Sequence, residues 1–128
     1  VWDNTKALLE IDGLIVYPGA ELPIIEAIRL GAPGCISATA NLNGTDIAEV
    51  IGLCLAGNWE LAETKHKKVC AVRLMFQDYA PIPAQKALLA RSTGHSAWGN
   101  LRAPMRPMDK DKLDALGNGL ASEFGMHF

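Results

Sequence analysis

An α/β fold with a parallel sheet is predicted, from two observations in residues 13–44. Two short apolar runs, Leu14–Tyr17 and Cys35–Ala40, are each followed by a small or polar loop. Each loop then gives way to a helical pattern. Strands that alternate with helices argue for a parallel sheet. Ligands of such folds sit at the carboxyl ends of the strands. The first run ends in Pro18-Gly19-Ala20-Glu21 and the second in Thr39-Ala40-Asn41. Those two turns are where chemistry is expected.

The elements follow in order. Residues 3–11 read as the end of a helix, with Asp3 or Asn4 as cap and Ala7, Leu8 and Ile11 on one face. Asp12-Gly13 stops it. Leu14–Tyr17 is apolar on both sides, as a strand covered on both faces would be. A helix starts near Leu22-Pro23, where proline is tolerated because its missing N–H is not needed. Ile24, Ile25, Ile28 and Leu30 give its buried stripe, and Gly31 closes it. Gly34–Ala40 is the second strand. Its small residues suit a crowded interior or a close ligand.

Asn43-Gly44-Thr45 leads into a third helix, with Thr45 as cap. Ile47, Val50, Ile51, Cys54 and Leu55 follow helical spacing. Trp59 to about Tyr79 is a long helix, with Ala62, His66, Val69, Val72 and Phe76 along one face. A histidine on such a stripe reads as a packed residue before a catalytic one. Asp78–Pro83 breaks the pattern through its prolines. Ala84–Arg91 is a short helix and Ser92–Met108 a loop. Leu113, Leu116, Leu120 and Phe124 mark a last amphipathic helix.

The chain has 128 residues, which suits one domain with a modest core. Its formal charge of −2 gives no pull toward nucleic acid or an anionic membrane. The densest positive run, Lys65-Lys67-Lys68, reads as a solvated helix face. No stretch approaches the roughly 18 apolar residues of a membrane span. The chain opens on Val1 with no methionine and no leader, which points to processing or truncation. Cys35, Cys54 and Cys70 form no Cys-x-x-Cys pair and read as free buried thiols of a reducing compartment. His66, His95 and His127 give no zinc spacing, so no metal is expected. Gly31 and Gly34 precede a strand and not a helix, so a phosphate site there lacks its physical basis.

Two strands against six helical segments do not make a sheet. They leave unpaired edges and uncovered apolar faces. Strands from another chain, or from a missing first part of this one, are expected.

The segments PGAE (18–21), LGAPGCISATAN (30–41), LAGNWELA (55–62), APIPAQKALL (80–89) and LRAPMRPM (101–108) carry a resemblance. Together they resemble the C-terminal part of the dihydrodipicolinate synthase / N-acetylneuraminate lyase family, over nearly the whole chain. The resemblance implies the C-terminal part of a (β/α)₈ TIM barrel. Leu14–Tyr17 would be strand seven and Cys35–Ala40 strand eight. Residues 1–58 would hold the last βα units, and 59–128 the family's C-terminal helical extension.

The resemblance also implies a class I aldolase mechanism. A lysine on strand six forms a Schiff base with pyruvate or another 2-oxo acid, and a tyrosine on strand five relays protons. Both lie upstream of Val1, so the isolated chain is expected to be inactive. Three substrate-binding residues carry over. Gly19 matches the glycine that lines the pocket after strand seven. Glu21 matches an acidic residue that meets the distal part of the aldehyde substrate. Ile36 matches the residue whose backbone carbonyl faces the lysine and the keto acid. On their own, Gly19 and Ile36 read as strand geometry and packing, and Glu21 as a solvated loop acid or a helix N-terminal charge.

Synthases of the family usually carry two acidic residues after that glycine. This chain has Ala20 then Glu21, and Pro18 before the glycine. That opens the second substrate to sugar-derived 2-oxo acids. The resemblance implies a cytoplasmic enzyme with no cofactor. It commonly forms a homo-oligomer, a tetramer in many members, and here would need the missing N-terminal half of the barrel. The alternative of another class is a non-catalytic half-barrel that binds or assembles through exposed strand edges.

Overall fold

A computed structural model describes residues 2–128. Its regular elements are helices: α1 (Trp2–Leu9), α2 (Ile24–Arg29), α3 (Ala40–Leu55), α4 (Trp59–Met75), α5 (Pro81–Thr93) and α6 (Lys110–Phe124), with a 3₁₀ turn at Ser96–Gly99. The chain forms two compact units, Val1–Cys70 and Ala71–Phe128.

The predicted strands are overturned. Residues 14–18 and 33–37 are non-helical, but no strand is formed among the described residues. This structure is therefore not a barrel part with strands seven and eight. The physical reason lies in the backbone groups. A parallel ladder needs evenly spaced bonds along both segments. Between these two, the bond is Ile36 N–H to the Pro18 carbonyl, at 3.0 Å. The apolar run that reads as a covered strand is largely solvent-facing, with Ile15 72% and Leu14 46% exposed. Two segments with no third neighbour cannot satisfy both edges and both faces.

The first unit is held by α2 packing on α3. Ile24 and Ile28 meet Ile47, Val50 and Cys54, with Ala62 and Val69 closing the cluster. The stripes expected in both helices supply these residues. Helix α3 starts earlier than expected. The Thr39 carbonyl accepts from both Leu42 N–H and Asn43 N–H, at 2.9 and 2.8 Å, and so winds a turn before Gly44. Asn43 then leaves helical geometry (φ −122°, ψ 28°) and kinks the helix. The run Lys65-Lys67-Lys68 lies on an exposed face. Lys65 pairs with Glu49 at 2.8 Å and Lys68 with Asp46 at 2.9 Å.

In the second unit α5 packs against α6, and Ala84, Leu88, Leu116 and Leu120 are buried. Helix α5 begins at Pro81 and not at Ala84. Both prolines fall in its first turn, where no N–H is required, and the residue before Pro81 is extended (ψ 112°). Asp109 caps α6, its carboxylate accepting from the N–H groups of Asp111 and Lys112. Gly125 ends it at φ 67°, a conformation other residues rarely adopt.

Candidate functional site

The two turns singled out by the sequence lie next to each other. The Ile36–Pro18 backbone bond joins the end of one non-helical segment to the end of the other. Behind it, Gly34 lies against the Tyr17 ring, where an added Cβ would stand 3.7 Å from a ring carbon. A Cβ there would make ordinary van der Waals contact with the Tyr17 ring and with Ile51.

Gly19 is exposed on the loop between Tyr17 and α2. An added Cβ would meet nothing within 4 Å, and the space in front of it is a cavity of ≈ 480 Å³. Its apolar walls are Trp2 of α1 with Pro18, Ala20, Leu22 and Pro23 of the loop. Thr5 and Glu26 add polar groups at its edge. Lys6 neutralises part of that edge, with Nζ 3.8 Å from the Glu26 carboxylate and 5.8 Å from the centre of the Trp2 ring.

Glu21 points the other way. It is 1% exposed and does not line the cavity. Burial, and then the charge of Glu21, pushes both the Cys35 and Cys70 thiols up from their ordinary value. The carboxylate therefore lies inside the first unit, within electrostatic reach of two protonated thiols. Ile36 is 70% exposed, so its position is fixed by its backbone bond and not by side-chain packing.

Sequence reasoning missed the second anchor of this loop. The Glu21 carbonyl accepts from Ile24 N–H at 3.1 Å, which starts α2. It also accepts from His66 Nε2–H of α4, at 2.7 Å and 45 residues away in sequence. A carbonyl only accepts, so the imidazole proton is assigned to Nε2. Cys70, one turn along α4, lays its Sγ 3.3 Å from Nε2 and 3.8 Å from Nδ1 of the same ring. The i, i+4 spacing of His66 and Cys70 was visible in the sequence, but the partner carbonyl was not.

At the second turn, the Ser37 and Thr39 hydroxyls face each other at 3.1 Å, and Asn41 Nδ2 donates to the Ala38 carbonyl at 2.8 Å. These polar groups hold the turn into α3. No group of three metal-ligating side chains occurs among the described residues. No described helix is long and apolar enough to cross a membrane.

Comparison with known proteins adds the family. The model of the dihydrodipicolinate synthetase family matches residues 3–122. A 4-hydroxy-tetrahydrodipicolinate synthase of Haloarcula marismortui is 31% identical over 105 residues, covering 81% of this chain and 32% of its own. One from a Psychrobacter species is 33% identical over 110 residues, covering 85% and 35%. A crystal structure of the chloride-inhibited dihydrodipicolinate synthase from Acinetobacter baumannii, complexed with pyruvate, superposes with a TM-score of 0.73 at 26% identity. The match covers 97% of this chain and 42% of that one. The chain thus spans about a third of the length of the curated relatives it matches. With a family match across residues 3–122, the chain belongs to the dihydrodipicolinate synthetase family.

Proposed function

We propose that this chain is the C-terminal part of a Schiff-base lyase that condenses or cleaves pyruvate, or another 2-oxo acid, with an aldehyde. The observation that carries the proposal is the family match together with the Gly19 loop, which walls a cavity beside the Ile36–Pro18 contact. In this reading Gly19 lines the substrate's surroundings, Ile36 borders them through its backbone bond to Pro18, the enclosed Glu21 supports the loop from behind, and residues 59–128 are the helical extension.

The bond-making groups are assigned upstream of Val1. A Schiff-base lysine must lose its proton, which requires a desolvated site. Lys6, Lys65 and Lys68 are each paired with a carboxylate on partly exposed surface. Lys110 pairs with Asp114 and is likewise exposed. Such partly exposed sites do not supply that desolvation. The amine of the upstream lysine attacks the ketone carbon of pyruvate and water leaves, giving the imine. A tyrosine, also upstream, carries the protons.

The apolar walls of Trp2, Pro18, Ala20, Leu22 and Pro23 suit the carbon chain of a short aldehyde, with Thr5 and Glu26 as the polar groups at the edge. The test is to incubate the longer protein and the 128-residue chain with pyruvate and borohydride and read their intact masses. Borohydride delivers hydride to the imine carbon and fixes the adduct. The longer protein gains one reduced pyruvyl group and the short chain gains none. A stable adduct on the short chain overturns the assignment.

A further inference from the structure

We propose that His66 is a positioning residue for the loop 18–23, acting through the Glu21 carbonyl. The inference rests on the lyase reading and names a residue of the helical extension that tunes the aldehyde side of the site.

Glu21 sits between Gly19, which walls the cavity, and Ile24, where α2 begins. Its carbonyl takes two donors, Ile24 N–H at 3.1 Å and His66 Nε2–H at 2.7 Å. The first bond is local and sets the start of α2. The second is the long-range one, and it ties the loop to α4. The Glu21 side chain is fully enclosed, so the backbone at this point has little room to shift without exposing it. Cys70 Sγ packs on the same imidazole at 3.3 Å, which holds the ring in place. The loop carrying Gly19, Ala20 and Leu22 is therefore pinned at its start by the Ile36–Pro18 bond and at its end by one ring of α4. A small displacement of a substrate-lining loop costs rate well out of proportion to its size.

His66→Asn and His66→Gln form the test, made in the longer protein. Both are polar, but only glutamine is long enough to put an N–H where Nε2 stands. Two measurements are read. The first is kcat/KM for the aldehyde beside the rate of borohydride-trapped pyruvate adduct. The second is hydrogen exchange of the peptide containing residues 18–23. In His66→Asn, aldehyde kcat/KM falls about fivefold, the size of one lost hydrogen bond, with pyruvate trapping unchanged. Exchange of the loop peptide rises by a similar factor. His66→Gln restores both. Equal behaviour of the two variants overturns the proposal, as does an equal loss of pyruvate trapping and aldehyde use. If the wild-type protein traps no pyruvate, the lyase reading fails, and the exchange comparison alone decides whether His66 positions the loop.

Discussion

Substituting Gly19 separates what the loop does for the fold from what it does for the substrate. The residue is exposed, its φ is outside the left-handed region, and a Cβ there has no atom within 4 Å. Gly19→Ala therefore costs no contact and no strain. It removes freedom from the unfolded chain, which stabilises by about 0.4–1 kcal/mol. With about 2.1 cal/mol/K of unfolding entropy per residue, the midpoint of thermal unfolding of a protein of the relatives' length rises by about 1 °C. Gly19→Leu adds a branched side chain to the lining of the ≈ 480 Å³ cavity. A misfit of methylene size in an apolar pocket is worth about 1–3 kcal/mol, or about 10–200-fold in kcat/KM. The assay is a thermal melt, pyruvate trapping and an aldehyde titration on the longer protein. The expected pattern is a melt at or above wild type, unchanged trapping and a large loss of aldehyde kcat/KM in the leucine variant. A lowered melt for Gly19→Ala would refute the structural half. An unchanged aldehyde titration for Gly19→Leu would refute the functional half.

Three further outcomes follow from the same geometry. Glu21→Gln removes the charge that, after burial, raises the Cys35 and Cys70 thiols; both alkylate faster with iodoacetamide. Cys54, raised mainly by burial and outside the influence of Glu21, stays at its wild-type rate, and a parallel rise there would indicate unfolding instead. Asp109→Ala removes the cap of α6 and costs about 0.5–2 kcal/mol in a denaturant titration, while Asp109→Asn, an equally good cap, stays near wild type. Hydrogen bonds from Lys110 and then Arg91 hold the Asp114 carboxyl below its ordinary range. Its folded-state value is lower than its unfolded one. Its contribution is therefore complete above the unfolded value and is lost as pH falls through the folded one. Asp114→Asn flattens that acid limb of stability against pH, and an unchanged limb would remove Asp114 from the account.

The helices were legible because their signals are local. The stripe Ile47, Val50 and Cys54 needs only a 3.6-residue period and a partner, and α2 supplies the partner. The start of α5 is hidden in the sequence because Pro81 and Pro83 resemble breakers, although in a first turn they omit donors that go unused anyway. The strands were not legible in the same way. Leu14–Tyr17 has strand composition, but a strand is a property of its neighbours, and the described residues offer one backbone bond. Glu21 shows the same limit at the site. Its sequence position is that of a solvated loop acid, yet the carboxylate is enclosed. The tether that accompanies this burial, from His66, is 45 residues away and has no sequence signature.

The central claim is that the chemistry belongs to residues outside these 128. It is tested most directly by locating the trapped lysine. The longer protein is treated with pyruvate and borohydride, digested, and the modified peptide sequenced by mass spectrometry. The account predicts a single reduced pyruvyl adduct on a lysine preceding Val1. An adduct on Lys6, Lys65, Lys67, Lys68, Lys86, Lys110 or Lys112 would contradict it.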